Sequence, residues 1–369
     1  MSGKAFTRAP WIGPQAARTL VAALAAAIIL CVLGAASVGA APGFLDDTPA
    51  AYLYGNLSAR AIGMGGAFVT MGDSPAAALY NPAALAGLPG VKLEGLYVFF
   101  EPLRLNALGV SLGSLAVNYV ALDGGAIEGR DEYDNPTGNV GNKEQAIVAS
   151  LGLGGGFLKL GTNVKYLTHQ ISFLGEGADG KALGLDAGLL LTLGLPWLNV
   201  RLGVAARDLP LAPLAEALSE GRKPAELLGR EPKGTVMIWR QGDQLYAEEI
   251  PTTLRVGLSA EVLLVTVALE VDHLKAEGGP EDNVIGRIGA QFNLGNVKLR
   301  AGAYTDPTPL SQLTAGGGAE RGQKSLLEGL HLTAGIGVRF TRNIGLDYAL
   351  EDSPVGLRHY LAASFQFGG

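Results

Sequence analysis

Apolar and polar side chains alternate along most of the chain beyond residue 90. In the stretch LNVRLGVAAR, Val200 and Leu202 fall on one face, whereas Arg201 and Arg207 fall on the other. A period of two is that of a β-strand with two unlike faces, and a helix would mix these residues. The pattern therefore predicts an all-β chain.

The alternation divides the chain into about 14 strands, an even number as in single-chain bacterial barrels. Connections of a few residues alternate with longer ones, of which the longest are 123–142, 210–250 and 307–327, although the connection EPL after the first strand is short and breaks this rule. Short turns at one rim and long loops at the other are typical of an outer-membrane barrel. The predicted strands cover 91–100, 104–112, 114–122, 143–153, 157–169, 182–194, 198–209, 251–262, 264–274, 283–294, 297–306, 328–340, 344–352 and 359–367.

Aromatic residues near the strand ends separate a membrane barrel from a soluble β-sandwich, which alternates in the same way. A sandwich buries its apolar face in a core, which does not favour aromatic residues at both strand ends in particular. Here they lie on the apolar face, as in a membrane girdle. They are Phe99, Tyr119, Tyr166, Phe292, Phe340, Tyr348 and Phe367. We expect a transmembrane antiparallel β-barrel of about 14 strands, with lipid around its apolar face.

The first 40 residues have the layout of a signal peptide. Basic residues precede the apolar run LVAALAAAIILCVLGAASVGA, and Val38-Gly39-Ala40 fits the small-residue rule for cleavage after Ala40. An uncleaved helical anchor is the alternative, because the run is long enough to span a bilayer. Cys31 is the only cysteine and lies within this run, so the predicted mature chain forms no disulfide.

Composition and motifs exclude several function classes. A net charge of −6 argues against nucleic acid as a partner, because nucleic-acid binders concentrate positive charge. The four histidines lack metal-binding spacing. Gly109-Val110-Ser111-Leu112-Gly113 matches the hydrolase motif G-x-S-x-G, but that motif needs a strand-to-helix turn and these flanks keep alternating. We expect no enzyme, metal or cofactor; a hydrolase that uses Ser111 is the least favoured hypothesis.

Charged residues of both signs fall on the face that would line the lumen. Inside a narrow barrel such charges most often pair with one another and with a plug, and a substrate relay is the alternative. The predicted lumen charges are Arg201, Arg207, Arg255, Glu261, Glu270, Asp272, Arg287, Lys298, Arg300, Arg339, Asp347 and Glu351.

Two long connections have distinct compositions. In 210–250, PLAEALSEGRKPAELLGR favours one or two short helices, and TVMIWRQGDQLYAEE predicts a small hairpin. By strand parity this connection lies at the outer rim, as a lid or as a docking surface. The connection 123–142 is rich in Asp, Asn and Gly and predicts a solvated loop rather than a calcium site, because it lacks EF-hand spacing.

The segment RAIGMGGAFVTMGDSPAAALYNPAALAGL, residues 60–88, precedes the first strand. Its GMGG turn lacks the preceding strand and third glycine of a dinucleotide fold, and also the Lys-Ser/Thr pair of a P-loop. Tight turns and a short helix at Ser74–Tyr80 are expected, with Asp73 or Ser74 as the cap. This compact segment predicts an N-terminal plug at 41–90, folded into a barrel formed by 91–369.

The same segment carries a family likeness. Its motifs are Ser58-Ala59-Arg60-Ala61, Gly63-Met64-Gly65-Gly66-Ala67-Phe68-Val69, Asp73, Ala77 and Tyr80-Asn81-Pro82-Ala83. Together they resemble the N-terminal signature of the FadL/TodX-like outer-membrane proteins, and most of all that of the PorV-type branch. The closing segment HYLAASFQF at 359–367 is similar to the last strand of that branch.

The resemblance implies a barrel of about 14 strands with an N-terminal hatch in the bacterial outer membrane. It also implies two functions that the residues leave open. FadL-type members pass hydrophobic small molecules such as fatty acids through the hatch, whereas PorV-type members are partners of a protein-secretion system. Passive transport is the leading hypothesis, with outer-membrane lipid and either such a ligand or secretion-system proteins as partners. The implied hatch residues are Arg60, Gly63, Gly65, Gly66, Phe68, Asp73, Asn81, Pro82 and Ala83.

Overall fold

The computed structural model describes residues 50–367, apart from 55–56, 101–102, 131–132, 174–175, 212–215, 221, 276–281, 310–328 and 354–355. The predicted signal peptide at 1–40 lies outside the described residues, as does most of the connection 307–327. No helix in the described part of the chain has both the length and the apolar character to cross a membrane.

Fourteen of the described strands close into a ring, in which each strand pairs antiparallel with its neighbours. The strand Val91–Phe100 pairs with both Leu103–Leu112 and Gly356–Phe367 and closes the ring, so no strand edge in it stays open to lipid, which offers no hydrogen bonds. The predicted barrel is confirmed. The ring strands are β1 (Val91–Phe100), β2 (Leu103–Leu112), β3 (Leu115–Arg130), β4 (Pro136–Gly155), β5 (Leu158–Phe173), β6 (Glu176–Leu195), β7 (Leu198–Leu209), β10 (Thr253–Val262), β11 (Val265–Leu274), β12 (Asn283–Leu294), β13 (Val297–Thr305), β15 (Leu330–Arg339), β16 (Ile344–Ser353) and β17 (Gly356–Phe367).

Tight turns join the strands at one end of the barrel, which we call the short-turn end. Gly113 and Gly295 have positive φ angles of 56° and 68° in two of these turns, a conformation that glycine adopts without steric cost. The opposite end, which we call the long-loop end, carries all the longer connections, although two residues alone separate β1 from β2, β5 from β6 and β16 from β17 there. The tight turns are 113–114, 156–157, 196–197, 263–264, 295–296 and 340–343.

Large apolar side chains cover the outside of the ring. Phe99, Phe340 and Phe367 are 51%, 63% and 58% exposed, and many leucines and valines on the same face are similarly exposed. A soluble β-sandwich would bury this face, so the exposed band excludes that alternative and identifies the face that lipid covers. The other predicted girdle aromatics also point outward.

Four strands extend further towards the long-loop end than the alternation predicted. β3 continues to Arg130 and β4 begins at Pro136, so the prediction of a solvated loop over 123–142 is wrong for most of its length. A bulge at Gly124-Gly125 absorbs a register shift, and pairing continues beyond it. The sequence signal ends earlier because strands that have left the lipid no longer need an apolar outer face.

The connection between β7 and β10 folds as its sequence predicted. It contains a short helix, α2 (Pro224–Leu228), and a hairpin of β8 (Thr235–Gln241) and β9 (Gln244–Ile250). β8 pairs with the outer part of β6, so the hairpin continues the wall outside the ring. One further two-residue strand, β14 (Thr308–Pro309), pairs with β12.

Candidate functional site

Residues 50–90, which we call the plug segment, fill the lumen of the barrel. They form three short 3-10 helices, η1 (Ala51–Leu53), η2 (Pro75–Leu79) and η3 (Pro82–Leu85), and one turn of α-helix, α1 (Ala59–Ile62). η2 lies where the sequence predicted a short helix, but neither Asp73 nor Ser74 supplies a side-chain cap to it. About half of the buried apolar residues belong to this segment, and the largest apolar cluster combines them with residues of the inner wall and the hairpin, so the plug segment and the inner wall share one core.

Nine inward-facing glycines of the wall make room for the plug segment, and we call them the glycine girdle. A Cβ atom at any of them would lie within 3.0 Å of a plug-segment atom. Several are direct neighbours across strands, as in the pairs Gly152–Gly161, Gly203–Gly257 and Gly289–Gly302. The girdle consists of Gly109, Gly152, Gly161, Gly188, Gly203, Gly257, Gly289, Gly302 and Gly335.

The plug segment has glycines of its own at the tightest contacts. Gly65 has a φ angle of +63°, and a Cβ atom there would lie 2.5 Å from the carbonyl oxygens of Ile288 and Ala303. Gly66 also has a positive φ, of 78°, whereas Gly63 lies against the backbone of Gly335. The GMGG stretch is therefore a turn fitted against the wall strands β12, β13 and β15.

Polar side chains of the wall bind the backbone of the plug segment. Glu270 accepts hydrogen bonds from the N–H groups of Phe68 (2.7 Å) and Val69 (2.8 Å) with one carboxylate oxygen. Because most of the plug segment is irregular, its backbone groups need such partners inside the lumen. Further wall-to-plug hydrogen bonds join Thr333 to Gly65, Asn118 to Pro75, Asn163 to Ala78, Arg207 to Leu53 and Arg287 to Gly65.

Asn81 ties three parts of the structure together. Its side-chain amide donates to the carbonyl oxygens of Val69 (2.9 Å) and Leu189 (3.0 Å), and its side-chain oxygen accepts from the N–H of Ala83 (3.0 Å). The last bond caps η3, which begins at Pro82. Asn81 thus links the turn after Phe68, the wall strand β6 and η3.

Arg60 is the charged centre of the plug segment. It is buried and lies 2.5 Å from Asp73, 2.7 Å from Glu94 on β1 and 3.9 Å from Asp347 on β16. Partial burial raises the pKa of the Asp73 carboxyl, but the attraction of Arg60 and of nearby lysines outweighs it, so the net pKa lies below the usual range. Asp73 is therefore a carboxylate at neutral pH, and it is half-exposed at the short-turn end.

The other charges predicted for the lumen all lie on the inner face of the wall. Most are buried, and they pair between adjacent strands or across one intervening strand: Arg287 with Asp272 (2.9 Å), Arg300 with Asp347 (2.7 Å), Arg255 with Asp272 (3.6 Å) and with Glu270 (3.8 Å), and Glu351 with the hydroxyl of Tyr304 (2.7 Å). Arg201 pairs with Glu261 nearer the short-turn end (2.9 Å). Arg207 reaches the plug segment, and Lys298 and Arg339 face a cavity described below.

A second buried ion cluster was missing from the sequence prediction. Lys165 lies 2.7 Å from Asp186 and 2.5 Å from Asp208, and all three are buried. Alternation places Lys165 and Asp186 on the inner face, so the sequence pattern is sufficient to predict both as lumen charges. Asp208 follows the inward-facing Arg207 and would point outward, but a bulge with a φ of 55° at Asp208 turns it inward as well. Glu94 was missed too, although it lies on the inner face of β1.

Two cavities open at the short-turn end, on either side of Asp73. The first has a volume of about 500 Å³ and a mainly charged and polar lining; we call it the polar cavity. The second has a volume of about 650 Å³ and combines Met64, Phe68, Met71 and Leu190 with charged residues at its mouth; we call it the mixed cavity. Arg60, Asp73 and Lys298 line both.

The hairpin β8–β9 covers the plug segment on the other side. Met237 and Ile250 are buried in the same apolar cluster as Tyr52, Tyr54 and Phe68. The ring of Trp239 lies 4.7 Å from that of His169 on β5. The hairpin is therefore packed as a lid over the long-loop side of the plug segment.

The G-x-S-x-G stretch does not form a nucleophile elbow. Ser111 lies near the end of β2, and the chain continues through a two-residue turn into β3 rather than into a helix. The described residues also contain no group of three or more side chains suited to hold a metal ion.

Comparisons with known proteins identify the fold. No family model and no curated protein matches the chain. The CymD monoaromatic hydrocarbon channel is 13% identical, with 85% of this chain and 98% of that chain covered and a TM-score of 0.55. The P. putida toluene transporter TodX is 14% identical, with 84% of this chain and 98% of that chain covered and a TM-score of 0.51. The barrel thus has the fold of these two proteins. The comparisons lend no support to the PorV-type branch or to secretion-system partners.

Proposed function

We propose that the protein is a channel of the bacterial outer membrane through which a hydrophobic small molecule moves passively. The observation that carries the proposal is the closed barrel with its lumen filled by the plug segment, in the fold that CymD and TodX share. The segment 1–40 would direct export, residues 41–90 would form the hatch, and 91–369 would form the transmembrane barrel. In this orientation the short-turn end faces the periplasm.

The mixed cavity is the compartment that such a molecule would occupy on the periplasmic side. Its apolar lining comes from Met64, Phe68 and Met71 of the plug segment and from Leu190 of β6. Methionine side chains are flexible and polarisable, and they adapt to apolar ligands of different shapes. The same plug residues separate this cavity from the long-loop side, so passage requires them to move.

Movement of the whole plug segment is disfavoured, because it would break the wall-to-plug hydrogen bonds and separate Arg60 from its carboxylates. A local displacement of residues 68–74 breaks fewer contacts: the bonds of Phe68 and Val69 to Glu270, the bond of Asn81 to Val69 and the ion pair of Asp73. Gly65 and Gly66 precede this stretch and Gly72 lies within it, and glycine gives a backbone the freedom that a hinge needs. Residues 68–74 are therefore the part of the hatch that we expect to open.

A disulfide between residues 69 and 257 tests this mechanism. The Val69 side chain touches the position that a Cβ atom on Gly257 would take, so Val69→Cys with Gly257→Cys can join the hatch to β10. We expect the oxidised double variant to lose uptake of toluene and of oleate into protein-containing vesicles, because the stretch 68–74 is held in place.

Reduction of the same protein with dithiothreitol should restore uptake, and the single variant Val69→Cys should conduct in both redox states. Uptake that is unchanged in the oxidised double variant, with the disulfide verified by mass spectrometry, would contradict the hatch mechanism. Absence of uptake of both probes by the wild-type protein would contradict the channel itself.

A further inference from the structure

The polar cavity contains an excess of positive charge that the structure does not neutralise. Its lining includes five basic side chains but only two acidic ones. Both acidic residues, Asp73 and Glu94, are already paired with Arg60. The remaining basic residues are Lys92, Lys298, Arg339 and Arg342.

This arrangement differs from the rest of the lumen. Deeper in the barrel the buried cations lie beside carboxylates, as Arg287 does beside Asp272 and Lys165 beside Asp186. Within the described chain, Lys298 forms no ion pair, and Arg339 donates a hydrogen bond to the hydroxyl of Ser364 (2.6 Å) rather than to a carboxylate. Lys92 donates to the backbone carbonyl of Asp73 (2.8 Å).

The cations reach the polar cavity from separate parts of the barrel. Lys92 comes from β1, Lys298 from β13, Arg339 from β15 and Arg342 from the turn that follows it. Like charges held around one concave space with low-dielectric walls concentrate the electrostatic potential there and attract anions. This positive site occurs in a chain whose net charge is −6, so it does not reflect a generally basic surface.

We propose that the polar cavity is a binding site for a small, multivalent, phosphate-type anion from the periplasm. Arginine binds phosphate oxygens through two N–H groups at once, and lysine binds them as a point charge. Side chains of Ser364, Asn343 and Thr341 supply further hydrogen-bonding groups around the same space. A cavity of about 500 Å³ accommodates pyrophosphate or a phosphorylated metabolite.

The location of the cavity selects a soluble anion over a lipid head group. Lys92, Lys298 and Arg339 are on the inner face of their strands, as are Ser364 and Gln366, so the wall of the barrel separates the site from the surrounding bilayer.

Asp73 is the internal competitor for this site. Its carboxylate is half-exposed, held by Arg60 and close to the lysines, in the position where an added anion would bind. A bound anion would therefore repel or displace Asp73. Because Asp73 belongs to the stretch 68–74, the occupied site would also favour opening of the hatch. This consequence and the periplasmic origin of the anion rest on the proposed function; the anion site itself does not.

Equilibrium dialysis with radiolabelled pyrophosphate, on the full-length protein in a neutral detergent, tests the site. We expect saturable binding at one site per barrel, at least tenfold weaker binding of acetate, and at least tenfold weaker pyrophosphate binding by the double variant Lys298→Gln/Arg339→Gln. Asp73→Asn should bind pyrophosphate several-fold more tightly than the wild type, because the competing carboxylate is gone.

Lys181→Gln is the matched control, since Lys181 is an exposed lysine on the outer face of β6. Its pyrophosphate affinity should equal that of the wild type. The proposal is overturned if the wild type does not bind pyrophosphate, if the double variant binds it as well as the wild type does, or if acetate binds equally tightly. These experiments do not measure uptake of hydrophobic probes. They can therefore contradict the anion site without contradicting the channel, and the uptake experiments can contradict the channel without contradicting the anion site.

Discussion

At the scale of single residues, Glu270 is the strongest individual tie between the wall and the plug segment. One of its oxygens accepts two backbone N–H bonds, and its charge is compensated by Arg255 at 3.8 Å. The two amides are buried, so neither can bond to water in place of the carboxylate if the bond is removed. Hydrogen bonds to charged groups contribute about 1.5–3 kcal/mol each.

Glu270→Gln should therefore loosen the backbone at Phe68 and Val69. Glutamine keeps an accepting oxygen, so the variant loses only the charge assistance, about 1–1.5 kcal/mol per bond. This corresponds to roughly 5- to 10-fold faster hydrogen exchange of these two amides if they exchange by local opening. Hydrogen exchange read by mass spectrometry over peptides that contain residues 68–69 measures the effect.

Glu261→Gln is the control for this experiment. Glu261 pairs with Arg201 in a partly exposed position, where an ion pair contributes about 0–1 kcal/mol. Exchange over residues 68–69 should be unchanged in this variant. Equal protection in Glu270→Gln and the wild type would mean that the carboxylate does not hold the hatch.

At the scale of elements, the glycine girdle determines how close the wall strands come to the plug segment. Gly289 and Gly302 are opposite each other on β12 and β13, and both face the backbone of Met64 and Gly65. A side chain at either position must push against backbone on the plug side, which cannot rotate away as a flexible side chain can. The girdle also explains part of the high glycine content of the chain, 54 residues.

Gly302→Ala on β13 should destabilise the protein, whereas Gly286→Ala on the adjacent strand β12 should not. An added Cβ at position 302 lies 2.8 Å from the Cα of Gly65, and overpacking of this kind typically costs about 1–3 kcal/mol. At Gly286, on the outer face of β12, the nearest atoms are 3.9 Å away, so we expect a change within about 0.5 kcal/mol.

The measurement is reversible guanidinium unfolding of each variant in phospholipid vesicles, followed by tryptophan fluorescence. Resistance of each variant to unfolding in detergent before boiling, read as gel mobility, shows separately whether the barrel has formed. If both alanine variants unfold at the same denaturant concentration, the wall does not need glycine at the girdle.

At the scale of the whole molecule, the exposed apolar band determines how the barrel lies in a bilayer. Leu258 is in the middle of β10, points outward and is 47% exposed. Gln145 also points outward, but it lies beyond the apolar part of β4, towards the long-loop end. The boundary of the lipid on this side of the barrel is thus expected between Ile147 and Gln145.

Leu258→Arg should destabilise the folded barrel in vesicles by about 2–4 kcal/mol, because an arginine at mid-membrane depth loses its hydration. Gln145→Arg should cost about 0–1 kcal/mol, as expected near the interface. Urea titration of folding into vesicles measures both. Equal costs for the two variants would contradict the assignment of this band to the membrane.

The sequence by itself determined the barrel. Each ring strand faces lipid on one side and the lumen on the other, so apolar and polar side chains alternate with a period of two. Glycines in the tight turns mark the short-turn end. The signal fails where lipid ends, which is why the outer parts of β3 to β6 were predicted too short. The same alternation located the inner-face charges, including Arg300 and Asp347.

Only the tertiary structure decided which of these residues act together. Arg60, Glu94 and Asp347 are far apart in the chain and meet because the plug helix α1, which contains Arg60, packs against β16 and β17, close to β1. A single bulge turned Asp208 inward against the alternation. The polar cavity likewise depends on closure of the ring, since closure brings Lys92 of β1 to the same space as Lys298 and Arg339. A local pattern specifies the face of each strand, but charge balance within the lumen depends on contacts between distant parts of the chain.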